Sequence, residues 1–86
     1  MKFISIGYGN SIAVERTVAL VSPESAPIKR LMQDAKEMGR IIDVSCGRKT
    51  RSVIITDSEH VILSALTTEQ INRRLEGEAP SDDEDE

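Results

Sequence analysis

Ten isoleucines and six valines stand against five leucines in this chain of 86 residues, and Phe3 and Tyr8 are its only aromatics. That skew constrains the fold more than any motif, because β-branched side chains are stiff at χ1 and suit a pleated surface better than a helix. The expectation is an α+β fold: a small antiparallel β-sheet domain with one main amphipathic helix and a short C-terminal helix. A domain of this size buries only ~60% of the surface its unfolded chain exposes. With so few large side chains to build a core, it has reason to gain stability by self-association.

Charge is unevenly placed. The last ten residues hold six of the fifteen acids and no base, so residues 1–76 carry nine acids against eleven bases, a local +2 inside an overall −4. The run Asp82-Asp83-Glu84-Asp85-Glu86 behind Pro80 repels itself and offers nothing to pack. Residues 77–86 therefore read as a disordered acidic tail behind a domain of residues 1–76. Cys46 is the only cysteine, which favours a reducing compartment and packing as a small hydrophobe. No apolar run approaches the ~20 residues of a membrane span, and the first residues lack a basic-apolar-small export pattern. A cytoplasmic protein without membrane contact is expected.

Lys2-Phe3-Ile4-Ser5-Ile6 alternates with the period of a half-buried strand, and Gly7-Tyr8-Gly9-Asn10 suits a hairpin turn into a second strand over residues 11–14. An uninterrupted strand from Ile12 to Leu20 would bury Arg16 on the face of Val14 and Val18. A break at Glu15-Arg16 is predicted instead, with Arg16 outward and residues 17–21 resuming as a strand. Ser22-Pro23-Glu24-Ser25 reads as a helix start with a Ser cap and Pro23 at the first helical position. Ile28, Leu31, Met32, Ala35 and Met38 follow at helical spacing, with Pro27 in the first turn, and Gly39 supplies a left-handed stop.

Residues 41–46, 52–56 and 61–65 read as three further strands, joined into two hairpins by Gly47-Arg48-Lys49-Thr50 and Asp57-Ser58-Glu59-His60. The last two strands do not alternate, which implies cover on both faces, from the helix on one side and another subunit on the other. Thr67 with Gln70 forms a capping box for a terminal helix through Ile71 and Leu75.

Catalytic readings find little support. Gly7-Tyr8-Gly9 opens like a dinucleotide loop, but Ile12 stands where the third glycine belongs, so a turn is favoured. His60 between Asp57 and Glu59 has the ligand types for a divalent metal, yet a solvated turn of this composition is the commoner outcome, and no metal or cofactor is expected. Cys46 has no neighbouring histidine to activate it, and no nucleophile-base pair is evident. Lys29, Arg30 and Lys36 alternate with Asp34 and Glu37, as on an ordinary solvated helix face.

The basic segment is more informative. Arg48, Lys49 and Arg51 put three cations into four residues at a hairpin tip, Gly47 allows close backbone approach and Thr50 offers a phosphate hydrogen bond. Guanidinium forks take guanine edges or phosphate oxygens, and each neutralised phosphate releases counterions. Arg16, outward by its parity, is a candidate for the same face. A solvated turn that only keeps the chain soluble is the plain alternative.

Four strings then carry a resemblance: Lys2-Phe3-Ile4 through Ile6-Gly7-Tyr8-Gly9-Asn10, Val21-Ser22-Pro23-Glu24-Ser25-Ala26-Pro27-Ile28-Lys29-Arg30, Gly47-Arg48-Lys49-Thr50-Arg51, and Asp57-Ser58-Glu59-His60-Val61-Ile62-Leu63-Ser64. Over residues 2–75 the chain resembles the RemA family of extracellular matrix regulators. The resemblance implies a bacterial DNA-binding transcription activator of biofilm matrix genes, nucleoid-associated, with a fold like LytTR DNA-binding domains. It also implies a homo-oligomeric, octamer-like ring that binds double-stranded DNA on its outer side, with no small-molecule substrate. By motif, Arg16, Arg48, Lys49 and Arg51 become the DNA contacts, and Pro27 a rigid position supporting packing or assembly. Lys49 stands where the family pattern reads Arg; its point charge keeps a phosphate contact but lacks the fork for a bidentate base contact.

Two readings of different class follow. One is a DNA-binding regulator acting as a homo-oligomer; the other is a non-catalytic adaptor or structural module that binds protein through its apolar strands, the basic tip being solvation alone. An RNA ligand is less favoured, because single-strand platforms want exposed aromatics.

Overall fold

The computed structural model describes residues 2–77. Two sheets and two helices follow in the order β1 (Phe3–Gly7), β2 (Asn10–Ala13), a single 3-10 turn (Val14–Arg16), β3 (Thr17–Val21), α1 (Ala26–Glu37), β4 (Ile41–Asp43), β5 (Ser52–Thr56), β6 (Val61–Ser64) and α2 (Thr68–Leu75). The acidic run, from residue 78 onward, lies outside the described residues.

β1 and β2 form a two-stranded antiparallel ribbon in which Gly7 pairs with Asn10. The loop residues Tyr8 and Gly9 both have positive φ, 56° and 81°, as the primed turns that match strand twist require. The predicted break after this ribbon is the 3-10 turn, which leaves Arg16 exposed.

The other sheet has the order β3-β5-β6-β4. β5 is antiparallel to β3 and to β6, whereas β4 runs parallel to β6. This corrects the antiparallel expectation: residues 41–46 do not form a hairpin with residues 52–56. The chain leaves β4 at Asp43, passes over the end of β6 and enters β5 on the far side. Two hydrogen bonds hold that passage, Val44 N–H to Leu63 O at 2.9 Å and Arg51 N–H to Ser64 O at 2.8 Å. The basic segment is thus a bridging loop at one end of the sheet, and Cys46, expected to be packed, is exposed within it.

α1 also starts later than predicted. Its cap is Ser25, whose Oγ accepts from Ile28 N–H at 3.4 Å. A helix begun at Pro23 would place Pro27 where a backbone N–H has to reach back one turn, and proline has none. Capped by Ser25, Pro27 falls among the first residues, whose N–H groups have no intrahelical partner. The stop is as expected, with Gly39 at φ 71°. At α2 the capping box forms: Thr67 Oγ1 accepts from Gln70 N–H at 3.1 Å and Gln70 Oε1 accepts from Thr67 N–H at 2.8 Å.

β5 and β6 are covered on both faces, but by their own chain. Val53 and Val61 pack under α1 with Ala35. Ile54 and Ile62 face the other way, onto Ile4, Ile6 and Ile12 of the ribbon and Leu66 and Ile71 near α2. Adjacent residues Val53 and Ile54 are 0% and 1% exposed, the non-alternating burial of a strand between two layers. The second layer is therefore the ribbon with α2, where the sequence suggested another subunit.

Candidate nucleic-acid interface

The bridging loop is fixed from below by Asp43. Its Oδ1 accepts from Ser45 N–H at 2.9 Å and from Ser45 Oγ–H at 2.6 Å. Those two bonds, the side-chain one foremost, hold the Asp43 carboxyl below its ordinary value of 3.8 against a small opposing effect of burial. The chain then turns sharply: Cys46 and Gly47 have φ of 54° and 78°, and Arg48 N–H donates to Ser45 O at 3.0 Å. Consecutive left-handed residues reverse the backbone over a short span. The outcome is that Arg48, Lys49 and Arg51 are all exposed.

These cations border two grooves. One, of about 650 Å³, is lined by Tyr8, Arg48, Lys49, Arg51 and, from α2 and the segment before it, Leu66 and Gln70. The Arg48 guanidinium sits over the Tyr8 ring, 5.8 Å from its centroid. The second, of about 510 Å³, shares Lys49 and Arg51 and adds Lys29 with Ser22 and Glu24. Lys29 and Tyr8 are the residues that sequence reasoning missed here. Lys29 read as one charge on a mixed helix face and Tyr8 as part of a turn; only the packing of α1 and of the ribbon against the sheet end brings them to the loop.

Electrostatics separate the loop from the other arginines. Among the described residues, Arg16 pairs with Asp57, Arg40 with Glu59 and Arg73 with Glu69, while no carboxylate pairs with Arg48, Lys49 or Arg51. Arg16 lies at the opposite end of β5, about 20 Å from Arg51 at ~3.3 Å per extended residue. Its Nε donates to both Asp57 oxygens at 2.7 and 2.9 Å, and its carbonyl accepts from Asp57 N–H. Within one chain, then, Arg16 does not join the basic face. Pro27 is exposed near the start of α1. Among the described residues the His60 turn gathers no ligand set: Nδ1 of His60 meets Ser58 Oγ at 2.8 Å, Asp57 faces Arg16 and Glu59 faces Arg40. Among the described residues no helix is long and apolar enough to cross a membrane.

Residues 3–75 match the family model described as RemA-like, extracellular matrix regulatory protein A-like. A protein of Halothermothrix orenii named "Putative regulatory protein" is 58% identical over 78 residues, 91% of this chain and 93% of its own. One of Geobacillus thermodenitrificans with the same name is 57% identical over 77 residues, covering 90% and 88%. One of Clostridium botulinum, again so named, is 54% identical over 83 residues, covering 96% and 91%. Fold and family together define the class, a small α+β protein of a regulatory family. More narrowly, the chain belongs to the RemA-like family of extracellular matrix regulators.

Proposed function

We propose that this protein is a DNA-binding transcription regulator, an activator of biofilm matrix genes, that works in the cytoplasm on the nucleoid as a ring-shaped, octamer-like homo-oligomer with duplex DNA on its outer basic face. One observation carries the reading: Arg48, Lys49 and Arg51 stand exposed around two grooves at the end of the sheet, with no carboxylate paired to them among the described residues. Guanidinium and ammonium groups outside an ion pair give up no carboxylate when they meet phosphate, and they displace counterions from it. Arg16 is a further contact, released from Asp57 on binding, since exposed ion pairs hold only ~0–1 kcal/mol.

Self-association is supported by the sheet edges. β3 and β4 are the outer strands, Val18 on β3 is 66% exposed and Ile42 on β4 is 44% exposed. Edges with apolar side chains favour pairing with another chain. A ring repeats the basic loop, so modest contacts add through effective concentration, and Pro27 stiffens the start of α1 for such packing.

The test is a titration of a long duplex at several salt concentrations, wild type against the Arg48→Ala, Lys49→Ala double variant, with oligomeric state followed by sedimentation. The variant is expected to bind roughly tenfold or more weakly at low salt and to lower the log–log salt slope by about two per loop engaged, with its assembly unchanged. Unchanged DNA binding in the variant would take the DNA surface off this loop, and a wild type that binds no duplex even at low salt would reject the regulator reading and favour the adaptor, whose partner would engage Val18 and Ile42.

A further inference from the structure

We propose that Tyr8 is a positioning residue of the DNA surface, its ring orienting the Arg48 guanidinium toward the groove. The inference rests on the DNA-binding reading and deepens it. At 5.8 Å from the centroid, the guanidinium is within the ~6 Å over which a cation is held by an aromatic face. Among the described residues no carboxylate pairs with Arg48, so the ring supplies its directional restraint. An arginine so held presents its fork in fewer orientations, and less freedom is lost when a phosphate or base edge is met.

The turn that carries Tyr8 is itself fixed. Asn10 Nδ2 donates to Gly7 O at 3.0 Å and to Tyr8 O at 3.2 Å. The Gly7 backbone lies close against Leu66, which would stand 3.5 Å from a Cβ at that position. The ring is therefore referenced to the core through Leu66 and not carried on a loose tip. Backbone conformation points the same way. Tyr8 occupies a loop position with φ 56°, where Asn or Gly is the easy choice and an aromatic residue is strained. A strained residue of the wrong type for its turn marks a role outside the turn.

Opposite effects on folding and binding separate this role from a structural one. Tyr8→Asn relieves the backbone and is expected to unfold at the same or higher temperature than wild type. It should nevertheless bind duplex DNA roughly two- to five-fold more weakly, the span of an exposed cation–π contact. Tyr8→Phe, which keeps the ring face, is expected to bind as wild type. In an Arg48→Ala background Tyr8→Asn should cause no further loss, because its effect passes through Arg48. The Arg48 side-chain proton resonances should be shifted upfield by the ring in the free wild type and return in Tyr8→Asn.

Additive losses in that cycle, or Tyr8→Phe as weak as Tyr8→Asn, would overturn the positioning role while leaving the DNA reading intact. A wild type that binds no duplex would overturn both. The proton shifts then tell whether the pairing itself exists, since they need no ligand.

Discussion

The two ends of β5 carry similar residues in opposite circumstances. At the Arg51 end, three exposed cations crowd one bridging loop with no carboxylate partner among the described residues; at the Thr56 end, Arg16 is clasped by both oxygens of Asp57. The backbone decides the contrast. The 3-10 turn ending at Arg16 and the turn following Thr56 are tied by Asp57 N–H to Arg16 O at 2.9 Å, which brings the two side chains together. The bridging loop uses its acid, Asp43, inward on Ser45. Side-chain charge alone therefore does not define a binding face; where the local acids are tied does.

The sharpest test of the contrast compares single variants at the two ends. Arg48→Ala is expected to weaken duplex binding several-fold or more at low salt, and the combined loss of Arg48 and Lys49 to be the largest effect in the molecule, on the order of tenfold to a hundredfold if the loop is repeated around the proposed ring. Arg16→Ala should cost clearly less, since its charge is already paired with that of Asp57. Filter binding or anisotropy at matched salt measures both.

A smaller effect concerns what holds the loop open. Asp43→Ala removes both hydrogen bonds to Ser45 and is expected to lower unfolding free energy by about 1 kcal/mol at neutral pH. The Asp43 carboxyl is held below 3.8 in the folded state. Its contribution is accordingly complete above 3.8 and fades as pH falls through the lowered folded value. Urea unfolding of wild type and variant should show a gap at pH 7 that narrows in strong acid; a gap of constant size would mean that the ionised form is not what anchors the loop.

Much of this arrangement was legible in local signals. Gly7-Tyr8-Gly9-Asn10, the parity of Arg16 and the Thr67/Gln70 pair each decide a turn, a break or a cap within a few residues, and each formed. The cap of α1 was misassigned because Ser22-Pro23 and Ser25-Ala26-Pro27 both satisfy the same rule, and only the need to place Pro27 ahead of the first reach-back bond decides between them. The parallel β4–β6 pairing was not legible at all. Apolar runs such as Ile41-Ile42 and Val61-Ile62-Leu63 say that a strand is buried, not which neighbour it takes or in which direction. From that one missed pairing came the hairpin tip where a bridging loop stands; the packed Cys46 came instead from reading a lone cysteine as a small hydrophobe, and Lys29 was read only as one charge on a mixed helix face.

The finest test takes the clasp away. In Asp57→Asn the Arg16 side chain loses its ionic partner while the backbone tie through residue 57 persists, so stability should change by no more than ~1 kcal/mol, the range of exposed pairs. Freed, Arg16 joins Arg48, Lys49 and Arg51 as a cation with no carboxylate partner among the described residues, and duplex affinity at low salt should rise about two- to five-fold, with a steeper salt slope. Adding Arg16→Ala to Asp57→Asn should remove most of that gain; a gain that survives would reflect lost repulsion from Asp57 alone. The informative failure is the reverse case, in which Arg16→Ala already costs as much affinity as Arg48→Ala in the otherwise unaltered protein. The two ends would then act alike despite about 20 Å of sheet between them, and the contrast drawn within one chain would have to be resolved between chains, by an assembly that sets the Arg16 end of one subunit beside the bridging loop of the next.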